Sequence, residues 1–143
     1  MRALLDVNVL IAVHDESHTH HASARAWLSA NLDNGWASCA ITQNGFVRVL
    51  SQPRYPLEIS AAGALALLQV SCSAPHHEFW PSDVALVDPT AVSPHSLLGP
   101  QQVTDIYLLA LTVRHGGRLV TFDRTVPTAA VPGASDDSLV VLG

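Results

Sequence analysis

The fold is indicated most clearly by residues 104–123, which read TDIYLLALTVRHGGRLVTFD. The first part of this stretch predicts a buried helix capped by Thr104, because its apolar residues recur at i, i+3, i+4 and i+7. Gly116-Gly117 ends the helix. Residues 118–122 then form a short apolar strand, which stops at an acid, Asp123. The four residues at helical spacing are Ile106, Leu109, Ala110 and Val113.

The same alternation of helices and short apolar strands extends along the whole chain. Asn8 is expected to cap the first helix and Thr42 the third, and residues 82–100 are expected to be irregular with one helical turn. Near-continuously apolar strands between helices indicate a parallel sheet covered on both faces, in one domain of residues 1–143. The other predicted strands cover residues 3–5, 36–39, 78–80 and 138–142, and the other predicted helices cover residues 9–13, 18–32, 42–50 and 58–70.

The composition excludes several classes of function. The chain has 143 residues, 48% of them apolar and 13% charged, and a net charge of −5, so it is neither disordered nor a polycation that coats nucleic acid. All seven cationic residues are Arg, which excludes mechanisms with an obligatory lysine. Asp6 interrupts the early apolar run, and the run at residues 61–70 is too short to span a bilayer. A cytoplasmic location without membrane association is expected.

Three acids are predicted to meet at one edge of the sheet. Asp6 and Asp123 each follow a strand. Asp105 begins a helix about 16 Å long, and the strand after it runs back in the opposite direction over about the same 16 Å. The three side chains should therefore lie at the same height, at the carboxyl edge where ligands bind in such sheets. Gathered carboxylates stay ionised only beside a positive charge. A hard divalent cation supplies that charge, which points to metal-assisted phosphoryl chemistry.

Several motifs resemble those of one family, the PIN-domain ribonucleases, over nearly the whole chain and in the family's order. A further segment, HEFWP at residues 77–81, resembles VapC-type toxins of actinobacteria. The family-like motifs are LLDVNVL at residues 4–10, ITQNGFVRV at 41–49, VTDIYLLAL at 103–111 and GRLVTFDR at 117–124.

The resemblance implies a PIN-like three-layer α/β/α sandwich and the toxin of a type II toxin–antitoxin pair. Such a toxin is a homodimeric endoribonuclease that uses Mg²⁺ or Mn²⁺, and a VapB-type antitoxin blocks its site. By analogy, Asp6, Asp105 and Asp123 would hold metal and activate water for in-line attack on RNA. Asn8 and Thr121 would orient these carboxylates.

Gln43 departs from the family pattern, which carries Glu at this catalytic position. A neutral amide brings no charge, so metal should bind more weakly, in a naturally slower or an intentionally inactivated enzyme. We expect the Gln43 side chain to point into the site, because Thr42 begins a helix at the same edge. Gln43 also leaves open an alternative, a weakened module that only binds RNA or antitoxin.

Other features are less specific. Arg48 and Arg124 border the motifs and are the candidates for RNA-backbone contacts. Asp6-Val7-Asn8 faintly resembles the nucleophile loop of haloacid-dehalogenase-like phosphatases, but the second Asp and a Lys are missing. The histidines of residues 14–21 have spacings found in metal sites, but no Cys or ordered His pair completes a zinc site, which favours a polar helix start.

Overall fold

The short apolar runs of the sequence form the strands of a parallel sheet. A computed structural model describes residues 1–96 and 99–143, and in these residues the predicted strands are present with bounds within one residue of those expected. The strands are β1 (Ala3–Leu5), β2 (Trp36–Cys39), β3 (His77–Trp80), β4 (Arg118–Thr121) and β5 (Leu139–Val141), and the helices are α1 (Val7–His14), α2 (His21–Asn31), α3 (Ala40–Leu50), α4 (Ala61–Cys72) and α5 (Val103–Arg114).

The sheet has the strand order β3-β2-β1-β4-β5, and all four pairings are parallel. Leu4 of β1 is in register with both Ala37 of β2 and Leu119 of β4. The chain moves outward from β1 to β3 and then returns to the other side of β1, so the strand order switches between β1 and β4. Ligands of open α/β sheets bind beside such a switch, at the edge where the strands end. We call this edge the carboxyl edge.

Helices cover both faces of the sheet, which confirms the three-layer α/β/α fold. Successive side chains of a strand point to opposite faces, and β1 shows this directly. Ala3 and Leu5 pack in a core cluster with α1, α2, α3 and α4, whereas Leu4 packs in a second cluster with α5. All three β1 residues are buried, as expected for a central strand covered on both sides.

Three predicted helix caps are wrong, because these helices begin earlier than expected. Helix α1 begins at Val7, and its cap is Asp6 rather than Asn8. Helix α3 begins directly after β2, so Thr42 lies in its first turn and accepts a hydrogen bond from the Cys39 amide. A short 3₁₀ turn leads into α5, which places Thr104 inside that helix. Only Asp6 separates β1 from α1, and α3 follows β2 directly, so neither helix begins late enough for Asn8 or Thr42 to be its cap.

Two helices are displaced from their predicted bounds. Helix α2 was expected over residues 18–32 but begins at His21, because a turn closed by the Asp15 carboxylate and the Ser17 amide precedes it. Helix α4 was expected over residues 58–70 but begins after Ser60, whose hydroxyl accepts from the Gly63 amide. Glu58 has φ +50°, which is incompatible with a right-handed helix.

The segment of residues 82–100 is irregular apart from short turns, as predicted, although residues 97–98 of that segment lie outside the described part. Gly116 ends α5 with φ +66°, and Gly117 brings β4 close to the chain before β1. A Cβ at Gly117 would lie 2.5 Å from the Arg2 carbonyl oxygen, so only glycine permits this approach. No helix within residues 1–96 and 99–143 has the length and apolar character needed to cross a membrane.

Candidate active site

Asp6 is held rigidly at the end of β1. One carboxylate oxygen, Oδ1, accepts a 2.7 Å hydrogen bond from the Val7 amide, which caps α1. The other, Oδ2, accepts a 2.7 Å hydrogen bond from the Thr121 hydroxyl of β4. Asp6 is only 6% exposed. Burial raises the pKa of its carboxyl group, while the hydrogen bonds from Thr121 and Val7 oppose that rise.

Asp123 lies at the end of the neighbouring strand and is oriented by its own turn. Its Oδ1 accepts hydrogen bonds from the amide and the hydroxyl of Thr125, at 2.8 and 2.7 Å. These bonds hold the pKa of Asp123 below its ordinary value. The Asp123 amide donates to the Thr121 hydroxyl at 3.0 Å. Thr121 therefore connects Asp6 and Asp123 through a single fully buried oxygen.

Asp105 completes the group from the first turn of α5. Burial, the charge of Asp6 and a hydrogen bond with Asp123 together raise the pKa of Asp105 to about 7. A carboxyl group with this pKa is partly protonated at neutral pH, and in that state it donates a hydrogen bond to the Asp123 carboxylate. The three acids predicted to converge are thus brought together at the carboxyl edge.

The chemistry of this group fits a divalent cation. The ion pairs among the described residues involve Glu78 and Asp83 and leave Asp6, Asp105 and Asp123 without a cationic partner. Their oxygens are the hard ligands that Mg²⁺ and Mn²⁺ prefer. No three His, Cys, Asp or Glu side chains of residues 1–96 and 99–143 already stand at ligating positions. Simultaneous ligation therefore requires the carboxylates to draw closer than their present arrangement.

Asn8 and Thr121 lie where residues that orient the acids would be needed. The Asn8 Oδ1 accepts from the Phe122 amide at 3.3 Å, and its Nδ2 donates to the Thr121 hydroxyl at 3.4 Å. These contacts connect α1 with the end of β4. Asn8, which does not cap the helix, instead supports the residue that binds Asp6.

The Gln43 side chain has a hydrogen-bond partner of its own. Its Nε2 donates to the Ser38 hydroxyl at 2.9 Å, and that hydroxyl also contacts Nε2 of His77 at 2.7 Å. Within the described residues, no hydrogen bond joins Gln43 to the three aspartates. Gln43 reaches Ser38 because α3 begins at Ala40, directly after β2. Its first turn therefore brings Gln43 back beside the fully buried Ser38.

The two candidate arginines flank the aspartates on opposite sides. Arg48 lines an open groove between α1, α3 and α5, together with Asn44 and Thr104. Arg124 lines a shallow cavity with the last residues of the chain, beside β5. Asn44 also lines this groove, but it was not among the candidates chosen from the sequence. The one sequence signal that could have indicated it is its place directly after Gln43, within the motif of residues 41–49.

The histidines at the start of α2 make hydrogen bonds and stacking contacts with other residues of the chain. His21 Nδ1 lies 2.7 Å from the Ala12 carbonyl oxygen, and the His20 ring stacks on Phe122 with 4.7 Å between centroids. The His18 Nδ1 accepts from the His20 amide. These contacts join the start of α2 to α1 and to the end of β4.

Comparison with known proteins agrees with this architecture. A family model described as the PIN domain matches residues 3–131, and the chain belongs to this family. It is 54% identical over 142 residues to Ribonuclease VapC44 of Mycobacterium tuberculosis, covering 99% of this chain and all of that protein. It is 43% identical over 135 residues to Ribonuclease VapC39 of the same organism, covering 93% and 96%. Within the PIN-domain family, the protein is therefore a ribonuclease of the VapC group, the toxins of toxin–antitoxin systems.

Two solved structures share the fold. The crystal structure of VapBC2 from Rickettsia felis, bound to a DNA fragment from its promoter, aligns over all of both chains with a TM-score of 0.64 and 12% identity. The structure of M. tuberculosis VapC20, a Sarcin-Ricin loop cleaving toxin, aligns over 92% of this chain and 98% of that one, with a TM-score of 0.61 and 11% identity. The relatives favour a nuclease over the phosphatase and over the purely binding module considered from the sequence. PIN ribonucleases are generally metal-dependent.

Proposed function

We propose that the protein is an endoribonuclease in which Asp6, Asp105 and Asp123 hold Mg²⁺ or Mn²⁺ and cleave RNA by hydrolysis. The observation that carries this assignment is the convergence of the three acids without a cationic partner. Burial, followed by the negative charges of Asp6 and Asp123, raises the pKa of Asp105 to about 7. Carboxylates that repel one another in this way gain most from a divalent cation. When bound, the cation lowers the pKa of a water molecule and neutralises charge on the phosphate.

The chain's own residues supply the positioning. Thr121 and the Val7 amide each hold one oxygen of Asp6, and Thr125 holds one oxygen of Asp123. Asp105 lies within hydrogen-bonding reach of Asp123, and with a cation bound these two carboxylates would orient the attacking water. Asn8 supports Thr121 from α1. Rigid support of this kind is worth about 10–100-fold in affinity or activity at metal sites.

The substrate and partners follow from the class of protein. VapC ribonucleases act on RNA and pair with an antitoxin of the VapB type, and the R. felis structure shows such a pair. We assign the RNA backbone contacts to Arg48 and Arg124, which flank the aspartates. The proposal further includes a single PIN domain over residues 1–143, since β5 pairs with β4 beyond residue 131. It also includes a homodimer and action in the cytoplasm.

The test is cleavage of total cellular RNA by the purified protein with Mg²⁺, with Mn²⁺ and with EDTA. The protein should cut with either metal and not with EDTA, and Asp6→Asn should remove the activity. Asp33→Asn is the matched control, because Asp33 lies in the 3₁₀ turn before β2, at the opposite edge. Cleavage that persists in EDTA, or in the Asp6→Asn protein, would refute the assigned metal site.

A further inference from the structure

An open groove adjoins the proposed active site on its α3 side. Its volume is about 380 Å³, which is ample for one nucleobase and its sugar. Val7, directly after Asp6, and Thr104, directly before Asp105, form the wall shared with the acids. The groove is lined by Val7, Ile41, Asn44, Gly45, Arg48 and Thr104.

The groove combines an apolar surface with polar side chains that have no hydrogen-bond or ion-pair partner among the described residues. Gly45 lies against Val7, and a Cβ there would be 2.6 Å from the Val7 Cγ2, so this part of the groove is closely packed. Across residues 1–96 and 99–143, the Asn44 amide has no side-chain hydrogen bond and Arg48 has no ion pair. Arg48 is the one charged residue among those that line the groove.

These properties match an unpaired nucleotide. A base offers an apolar face and a polar edge, and RNA-binding proteins recognise unpaired bases through both. The backbone phosphate that accompanies the base is an anion, which complements the positive charge of Arg48. An acidic lining would repel that phosphate, and this groove has none among its described residues.

We propose that this groove is a nucleotide subsite, in which Asn44 contacts the edge of the base beside the scissile phosphate and Arg48 contacts the adjoining phosphate. The inference rests on the proposed active site, because it takes the scissile phosphate to lie at Asp6 and Asp105. It adds a residue that determines base preference, which the carboxylates themselves cannot do.

The direct test changes the hydrogen-bonding character of Asn44. An Asn amide donates and accepts, whereas an Asp carboxylate only accepts, so Asn44→Asp should shift the preferred base towards guanine, which has two adjacent donors on its Watson–Crick edge. Asn44 is exposed and close to the N-terminus of α3, where an Asp is well tolerated. The added charge also repels the phosphate and lowers overall cleavage, so the readout is base preference at equal extents of cleavage. It is obtained by sequencing product ends from RNA hairpins with randomised loops, cleaved with Mn²⁺.

Asn34→Asp provides the matched control, because Asn34 is an exposed Asn in the 3₁₀ turn before β2. Its cleavage pattern should equal that of the unaltered protein. We expect a change of at least fivefold in base preference for Asn44→Asp, confined to one position next to the cut. An unchanged preference at all positions would overturn the subsite.

Arg48 is tested through affinity. Arg48→Gln should raise KM for the hairpins with little change in kcat, and should reduce the slope of log affinity against log salt by about 0.7. Arg48→Lys should recover part of the affinity, since it keeps the charge. Arg25→Gln, an exposed Arg of α2, serves as control. A salt slope unaltered by Arg48→Gln would contradict the phosphate contact.

The two proposals fail in distinguishable ways. Continued cleavage by Asp6→Asn would refute the active site, whatever Asn44 does. Loss of cleavage in Asp6→Asn, together with an unaltered base preference in Asn44→Asp, would refute only the subsite. If the Asn44 and Arg48 variants instead lose affinity for a VapB-type antitoxin while cutting RNA as before, the groove binds protein and the nucleotide assignment is wrong.

Discussion

The two halves of the sheet, β1–β4 and β2–β3, use hydrogen bonds for different purposes. On the β1–β4 half, the bonds of Thr121 and Thr125 orient the carboxylates of Asp6 and Asp123 without neutralising them. On the β2–β3 half, the bonds join the neutral side chains of Gln43 and Ser38 to His77. The first half concentrates negative charge at the carboxyl edge, whereas the network of the second half is formed by neutral side chains.

The difference also appears in the titration of the two halves. Burial lowers the pKa of His77, which favours the neutral form of the ring. In the other half, burial and neighbouring charge raise the pKa of Asp105 to about 7. A buried neutral network is satisfied by its own members, whereas the acidic group is satisfied only by a proton or a cation. Repulsion within the acidic half therefore lowers the stability of the folded protein and favours the binding of a cation.

Removing one charge from the acidic half should have the largest effect. We expect Asp105→Asn to lower RNA cleavage by more than about a hundredfold, since it removes a proposed ligand rather than a residue that merely supports one. The same change should raise the melting temperature in EDTA at pH 7.5, because repulsion from Asp6 is removed. The measurements are a cleavage assay with Mn²⁺ and thermal unfolding. A fully active Asp105→Asn protein would show that the acids are structural.

The bridging hydroxyl of Thr121 comes next in expected effect. Thr121→Val keeps the shape but removes the bond to Asp6, so activity should fall by about 10–100-fold and unfolding free energy by about 1–3 kcal/mol. Thr112→Val is a matched control, since Thr112 is equally buried and donates to the Leu108 carbonyl within α5. It should lose stability and keep its activity. Equal activity losses in both variants would assign the Thr121 effect to folding alone.

Introducing a charge into the neutral half should have a smaller effect. Gln43→Glu replaces the donating amide with a carboxylate, which can only accept from Ser38, and it adds a negative charge. We expect the Mn²⁺ concentration for half-maximal cleavage to fall by up to about tenfold, as one added charge near the acids is worth about 1 kcal/mol in water. Ser38→Ala releases Gln43 without a charge and should not improve metal affinity. If Gln43→Glu alters neither metal affinity nor cleavage, position 43 has no catalytic weight.

Position 43 also shows where prediction from the sequence stops. The acids could be predicted because each belongs to a local pattern, an apolar strand ended by Asp or a helix begun by one, and parallel strands place such ends at one edge. Gln43 was expected among them from its place after a strand. Its observed partner is the Ser38 hydroxyl, which also contacts His77. His77 lies 34 residues further along the chain than Gln43, and no local pattern encodes its contact with Ser38.

The helix starts teach a related lesson. Asn8, Thr42 and Thr104 all have side chains that can cap helices, and the actual boundaries differ because the preceding strand or turn runs directly into the helix. The choice between two neighbouring capping residues depends on the direction in which the chain leaves the strand. The apolar periodicity predicted which segments are helical, while the exact first turn depended on tertiary connections.

The pH dependence of stability tests the acidic half without altering its sequence. Asp105 has a pKa of about 7 in the folded protein and 3.8 in the unfolded chain, so the folded state holds the proton more tightly. Its contribution to stability is therefore complete below about pH 4 and is lost as the pH rises to about 7. Thermal unfolding in EDTA should show a decline over this window that is smaller in Asp105→Asn, where only the raised pKa of Asp6 still contributes. Mn²⁺ at pH 7.5 should restore the melting temperature of the unaltered protein, because the cation replaces the proton among the carboxylates. A melting temperature that ignores Mn²⁺ at pH 7.5 would mean that the repulsion is relieved within the protein, and the contrast between the two halves would then concern structure only.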